Sequence, residues 1–578
     1  MSTIAAASSG TNPSRIRWST LPLTAAGLNV VCRAIDARER GGVADERERQ
    51  GAIGLLYALT IDLARHDGAG GKRQAYFPVR YLNKLYYMCY TYIYSPGDEI
   101  GVWGGDMAAL SGEDVPGRFF EPDHPVVVAR APARLDALGG IADYSGATVL
   151  ELPLDRSVRV IAQATDDGVL VARSERADGR RDAFPEARVP IAVIDDGPAT
   201  DAPERLRAAL EADGAHWAAY VLGPLAVLHA AGLLSAGGVR LFVRSDVPAG
   251  AGVSSSAALE VATLRALAAL WHLDLDPLGL ALLAQQAEHR VAGAPCGLMD
   301  QAAATLGQAG HLLVLRCQAA GGEPAAVLGQ RRLPAGVRVM GLDSGVAHRV
   351  GGGQYGRVRT AAFMGRAIIA AHDPADPPGG YLCNLAPARF LARYAPLLPE
   401  ELGGAAFLAR YGETGDDATR VAPDAVYRVR ACATHPVLEQ ANVAAFLAAL
   451  DGYERAGDPA TLAEAGSAMY RSHESYGARC GLGTPETDLI VDLVRDLGPA
   501  HGLYGAKITG GGAGGTVAIL GAGPRMEDAV EGVRAEYARR SGRRATMLAG
   551  SSDGAWASPV RHAVVDEEGR LHGAGVRT

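Results

Sequence analysis

The amino-acid sequence predicts an α+β protein, and three observations carry that class. Strand-like stretches recur at "VRVIAQA", "VRLFVRS", "HLLVLRC", "VRVMGLD" and "TVAIL". Ala- and Leu-rich segments with helical character, such as "VATLRALAALWHL" and "LGLALLAQQAEHRVAG", lie between them without strict β-α-β alternation. A β-branched run, "HPVVVAR", passes directly into the Pro- and Gly-punctuated "APARLDALGG". No internal repeat is evident.

The 578 residues exceed one ordinary domain and suggest roughly three or four folding units. A net charge of -8, not gathered into long blocks, argues against nucleic acid or an anionic membrane surface as partner. Seven cysteines without a C-x-x-C pair argue against a zinc site and a disulfide framework, and fit a reducing cytoplasm. The start, "MSTIAAASSGTNPSRIRW", lacks the pattern of a secretory signal. "HWAAYVLGPLAVLHAAGLLSAGGV" is uncharged but holds Pro224, His229 and many small residues, so it reads as a buried helix rather than a membrane span. Lysine occurs only at 72, 84 and 507, and glycine 73 times. Any single glycine motif is therefore discounted.

Residues 1–122 form the first region, with a helically spaced stretch, "GAIGLLYALTIDLARHD", and a tyrosine cluster, "YLNKLYYMCYTYIY". Packing or an interface explains both. Three later stretches carry chemistry. In "PAGAGVSSSAALEVA" (248–262) glycines let amides crowd around an anion, and the serines supply a cap to a helix beginning near Ala257. That is a phosphate cradle or an ordinary capped turn; it lacks the Gly-Lys-Ser/Thr ending of a Walker loop. In "QQAEHRVAGAPCGLMDQAAATLGQ" Glu288 and Asp300 flank a turn that could bring both carboxylates to one cleft. An Asp in the apolar context "GLMDQAAATLG" needs a partner or a task, as base or magnesium ligand. In "YGAKITGGGAGGTVAIL" five of six residues from Gly510 to Gly515 are glycine. This is a flexible hairpin or a backbone that approaches a ligand.

Together these stretches resemble the GHMP kinases, the superfamily of galactokinase, homoserine kinase, mevalonate kinase and phosphomevalonate kinase. "ARAPARLDALGGIADYSG", "PAGAGVSSSAA" and "KITGGGAGG" stand in the family's order and at comparable separations over about 123–560. The resemblance implies two α+β lobes around a cleft, 123–336 and 337–562, followed by a tail over 563–578. It implies ATP and Mg2+ as cofactors and a monosaccharide as substrate. Asp300 matches the catalytic aspartate that takes the proton of the sugar 1-hydroxyl. Arg134 matches the arginine that keeps it ionised and faces the transferring charge. Ser256 and Glu288 match the magnesium ligands. Pro248, Gly250, Gly252, Ser254, Ser255 and Ala257, with Gly510, Gly511 and Gly512, match the nucleotide-phosphate loops. Asp143, Gly297 and Tyr355 match the sugar contacts. Lys507 matches a position where arginine also occurs, so a structural role is open.

One departure bears on the substrate. Where galactokinases have Gly-Glu-His-x-Asp-Tyr this chain has "GGIADY", so Gly140 and Ile141 replace the acidic and imidazole groups near the hexose C6. A polar group that selects a hydroxyl discriminates by roughly 10⁴ or more, so its removal suits a sugar without that hydroxymethyl arm. "LDALGGIADYSG", "GLDSGVAHRVGGGQYGRVRTAAFMGR" and "ACATHP" resemble the L-arabinose-phosphorylating members. Those members carry a larger glycosyltransferase-like N-terminal region, which is not visible in this chain. The alternatives are a galactokinase or other sugar 1-kinase, and a regulator that binds sugar and ATP without turnover. An intact "SSSAA", Glu288 and Asp300 speak against the regulator.

Overall fold

The computed structural model describes residues 115–116, 118–176, 186–235, 237–319, 325–347 and 353–573. The features expected over 1–122 lie outside them, apart from 115–116 and 118–122.

The first layer is a nine-stranded sheet. Its strands are β1 (Pro125–Leu138), β2 (Thr148–Thr165), β3 (Val169–Arg176), β4 (Ala187–Pro190), β5 (Gly238–Ser245), β6 (His311–Arg316), β7 (Ala326–Arg332), β14 (Arg561–Val565) and β15 (Leu571–Gly573), in the order β15-β14-β1-β2-β5-β3-β4. β2 serves two partners: Val158–Thr165 pair with β5 and Thr148–Glu151 with β6, which in turn pairs with β7. Along β1, Val127, Ala129, Ala131, Ala133 and Leu135 enter the main core. The period of two leaves Arg134 and Asp136 for the other face.

Three helices cover that core. α3 (Ser255–Leu270) packs on β1 and β2, α2 (Ala219–Ala230) on α3, and α1 (Ala202–Ala212) on α2. α2 is the stretch expected to be a buried helix. Val221, Leu222, Leu225, Val227 and Leu228 surround it with apolar contact on every side, as a helix inside a large core requires. Among the described residues no helix is long and apolar enough to cross a membrane. α4 (Pro277–Ala287), capped by Asp276, and α5 (Met299–Leu306) follow.

The second layer is a four-stranded antiparallel sheet of β8 (Val337–Asp343), β11 (Leu503–Ile508), β12 (Thr516–Ala522) and β13 (Thr546–Leu548), in the order β11-β12-β8-β13. A short ribbon, β9 (Leu402–Gly403) with β10 (Val426–Tyr427), stands apart. α6 (Gln354–His372), α7 (Gly404–Tyr411), α8 (Val429–Ala456), α9 (Pro459–Ser475), α10 (Pro485–Leu497) and α11 (Met526–Ser541) complete the chain. α10 and α11 pack on this sheet through Ile490, Val494, Val530 and Tyr537. Phe446 and Leu450 of α8, with Leu462 and Met469 of α9, join the main core instead and so tie the two sheets together.

The tail expected from residue 563 is corrected here. Ala563 and Val564 pair with Val126 and Pro125 of β1, and Val565 and Leu571 are buried with Phe119, Phe120 and Phe242. The charged "DEEGR" reads as a loose end but is a hairpin turn, closed by a hydrogen bond from the Asp566 amide to the Arg570 carbonyl. The apolar partners on β1 that hold it lie more than 430 positions away, beyond any local pattern.

Candidate active site

The loop from β5 to α3 holds three left-handed residues, Gly250 (φ 72°), Gly252 (φ 70°) and Ser254 (φ 62°). For a serine this conformation costs about 1 kcal/mol. The expected serine cap is not made: α3 starts at Ser255, and no side chain bonds its first amides. Ser254 Oγ is buried without a partner. A helix N-terminus with open amides and an orphaned hydroxyl is a place for an anion. Neighbours pin the loop. Arg134 donates from its amide to the Val253 carbonyl (3.1 Å) and from Nη1 to the Gly252 carbonyl (3.1 Å), and Thr516 Oγ1 donates to the Ala251 carbonyl (2.8 Å). Pro248 closes its near end, accepting from the Ala251 amide at 3.4 Å.

The second glycine run turns between β11 and β12 and lies against this loop. A Cβ on Gly510 would come 2.6 Å from the Gly252 carbonyl oxygen, and one on Gly515 would come 2.7 Å from that of Ala251. Backbone thus meets backbone, which explains the glycines. Gly511 is half-buried, while Gly512 (φ 73°) packs away from the serines, toward Leu482 and Tyr476.

At this junction Arg134 reaches Asp300, which stands in the first turn of α5. Arg134 Nε and Nη2 lie 2.8 and 2.7 Å from Asp300 Oδ1, and Nε is also 3.2 Å from Glu151 Oε2. Burial works against the guanidinium charge, but Asp300, Glu151 and Asp136 outweigh it and hold Arg134 above its ordinary value. Asp300 is 20 % exposed where Arg134 is 2 % exposed, so the carboxylate is the solvent-reaching member of the pair. Burial and the facing Asp136 push Glu151 well above the carboxylate range, with Arg134 opposing.

Ser256 and Glu288 also come near one another, and the Ser256 hydroxyl favours the Glu288 carboxylate. Glu288 sits where α4 passes into a wide turn, and Gln301 Nε2 donates to its Oε2 at 2.6 Å. Behind it lies Glu260, one helical turn after Ser256 and fully buried. Burial and then Asp300 raise Glu288 to about 7, and burial and then Glu288 push Glu260 up further. This is an acidic pocket of two buried carboxylates. Among the described residues no cluster of three or more His, Cys, Asp or Glu could hold a metal by itself. One carboxylate and one hydroxyl suit a small hard cation that takes its other ligands from phosphate and water.

The three expected sugar contacts also meet. Gly297 packs so closely on Asp143 that a Cβ would overlap its Oδ2. That oxygen has no partner, while Oδ1 accepts from the Tyr144 amide (2.8 Å). Burial, partly offset by that amide, lifts Asp143 to about 7. Tyr355, at the start of α6, meets the Tyr144 ring edge-on at 5.9 Å. Gly140 and Ile141 present no polar side chain here. Ile141 is buried among Tyr144, Val437 and Ile508, and a Cβ on Gly140 would overlap both the Tyr476 hydroxyl and the Asp136 carboxylate.

Several site residues escaped sequence reasoning. Asp136 lies two positions after Arg134 on one strand face, Glu260 one turn after Ser256, and Arg359 one turn after Tyr355. Periodicity around the recognised motifs could have flagged these three. Tyr476 had no local signal. Its hydroxyl accepts from the Ile141 amide (3.1 Å) and donates to the Gly510 carbonyl (3.0 Å), joining one motif 335 positions before it to another 34 positions after it.

Both the sequence and the fold have counterparts among known proteins. Residues 219–308 match the GHMP kinases N terminal domain. An L-arabinokinase of Arabidopsis thaliana is 36 % identical over 76 % of this chain, which spans 47 % of that protein. A galactokinase of Chloroflexus aggregans is 32 % identical, with 72 % of this chain and 90 % of the relative covered. The crystal structure of Lactococcus lactis galactokinase complexed with galactose superposes with a TM-score of 0.57 at 20 % identity, covering 74 % of this chain and 94 % of that one, which establishes a shared fold.

Proposed function

Because the chain belongs to the GHMP kinases, we propose that it phosphorylates the anomeric hydroxyl of a monosaccharide with ATP, and that L-arabinose is its preferred acceptor. The observation that carries this is the Arg134–Asp300 pair, set where two glycine-bearing loops meet and beside Asp143 and Gly297. The lobes are taken as 123–336 and 337–560, with the strands of 561–573 returning to the first sheet.

The serine loop and Gly510–Gly512 hold the nucleotide phosphates with backbone amides and the Ser254 hydroxyl. Asp300 accepts the proton of the sugar 1-hydroxyl as its oxygen bonds the γ-phosphorus and the bond to the β,γ-bridging oxygen breaks, releasing ADP. Arg134 holds Asp300 in place, and its remaining donors face the charge spreading over the transferring group. Ser256 and Glu288 would hold magnesium, which neutralises phosphate charge when bound with the nucleotide. Asp143, Gly297 and Tyr355 orient the ring.

L-Arabinopyranose is a galactose-like ring without the hydroxymethyl arm. The Gly140–Ile141 corner, which offers neither an acidic nor an imidazole side chain, supports it, as does the likeness to a protein named L-arabinokinase. Likeness to galactokinases along most of their length keeps D-galactose as the second acceptor. A reducing compartment such as the cytoplasm suits the protein, because the five cysteines among the described residues are all unbridged.

Turnover with labelled ATP on L-arabinose and D-galactose tests the proposal. A higher kcat/KM on L-arabinose is expected. A clear preference for galactose overturns the choice of acceptor, and bound sugar that never gains label overturns the kinase.

A further inference from the structure

Arg359 follows Tyr355 by one turn on α6, so the two project from the same helix face. It is 8 % exposed, and its guanidinium is engaged on every side. Nε and Nη2 donate to Asp416 Oδ2 and Oδ1 at 2.9 and 2.6 Å, a bidentate pair. Nη1 donates to the carbonyls of Pro295 and Cys296 at 3.2 and 3.1 Å. The plane lies 5.5 Å from the centre of the Tyr144 ring. Asp416 is itself held, accepting from the Thr419 amide (3.1 Å) and hydroxyl (2.6 Å).

The consequence lies in what these partners adjoin. Pro295 and Cys296 immediately precede Gly297, where an added Cβ would overlap the orphaned carboxylate oxygen of Asp143. Tyr144 immediately follows Asp143. One cation therefore grips both sides of the Asp143–Gly297 contact and anchors them to Asp416. A bidentate fork fixes orientation as well as distance, which a lysine ammonium cannot do.

We propose that Arg359, braced by Asp416, is a positioning residue for the acceptor sugar: it sets the register of Gly297 against Asp143 and so governs sugar affinity separately from nucleotide affinity. This rests on the sugar-kinase reading above.

The test uses the full chain with Arg359→Lys and Asp416→Asn, measuring KM for L-arabinose and for ATP, kcat, and thermal unfolding. A misplaced positioning contact costs up to about 100-fold. We expect the sugar KM to rise about 10- to 100-fold in both variants while the ATP KM stays within about twofold. The double variant should be no worse than the weaker single one, because both break one unit. Asp416→Asn keeps the shape of the brace and carries the test if Arg359→Lys does not fold. Equal rises in both KM values, or an unchanged sugar KM, overturn the inference while leaving the kinase intact. A wild-type protein that phosphorylates no monosaccharide overturns the kinase reading, and this inference with it.

Discussion

Lys507 Nζ lies 2.6 Å from Asp136 Oδ2, and neither side chain has any exposed surface. The pair crosses from β11 to β1 and so joins the two sheets immediately behind Arg134. Asp136 Oδ1 accepts from the Gly140 amide (3.2 Å), and its backbone amide and carbonyl both bond the Thr509 hydroxyl. One carboxylate thus orders the turn toward the sugar and the strand that delivers the glycine loop. Removal of one partner from such a pair strands the other charge. Lys507→Met should therefore destabilise the fold by about 3–5 kcal/mol, seen as a lower denaturant midpoint, and Lys507→Met with Asp136→Asn should recover part of the loss.

Asp300→Asn should lower kcat by about 10²–10⁴ while leaving nucleotide binding within a fewfold. Asn keeps the size of the side chain but cannot take the proton. Arg134→Lys should also lower kcat, because an ammonium cannot hold Asp300 and the Gly252 carbonyl together as the guanidinium fork does. Rapid-quench turnover and a fluorescent nucleotide analogue separate chemistry from binding. Retained turnover in the Asn variant would remove Asp300 as the base.

Gly140→Glu, the change toward the galactokinase pattern, should not create a galactose enzyme. A Cβ at 140 collides with the Tyr476 hydroxyl and the Asp136 carboxylate, both rigidly bonded. Overpacking of this kind costs about 1–3 kcal/mol, and a carboxylate added beside Asp136 adds repulsion. The expected result is a lower melting temperature with weaker activity on both sugars. A gain on galactose at full stability would show that the corner can reopen.

Asp143 sets a pH dependence in the protein without ligands. Its carboxyl titrates at about 7 when folded, against 3.8 ordinarily, chiefly through burial. Between those values the folded state holds a proton that the unfolded chain has released. Stability must therefore fall as pH rises through that window, by about 1.4 kcal/mol per unit for this group. Urea midpoints at pH 5 and 7.5 should show the decline, and Asp143→Asn should lessen its slope without abolishing it, because Glu288 is raised in the same way. An unchanged slope in the variant would assign the effect elsewhere.

The α+β class, the strands from "VRVIAQA" to "TVAIL" and the buried α2 were legible because each depends on local periodicity and composition. The motif residues were legible too, since glycine at a backbone crossing and a carboxylate in an apolar context are chemically conspicuous wherever they stand. The serine cap was misread for a physical reason: Ser254 adopts a left-handed conformation and makes no side-chain cap, in a loop whose Ala251 and Gly252 carbonyls are held by Thr516 and Arg134. The last strands were misread because their stability resides in β1.

What the chain alone determined, then, is which groups are available: an arginine, two acids, three serines and two glycine runs, gathered in stretches that are separated along the sequence. Tertiary structure decided their partners. Buried charges must be paired, so Lys507 found Asp136, Arg359 found Asp416, and Arg134 was left between Asp300 and Glu151. Such pairings join positions tens to hundreds of residues apart, where the cost of an unpaired charge, rather than any sequence pattern, selects the neighbour.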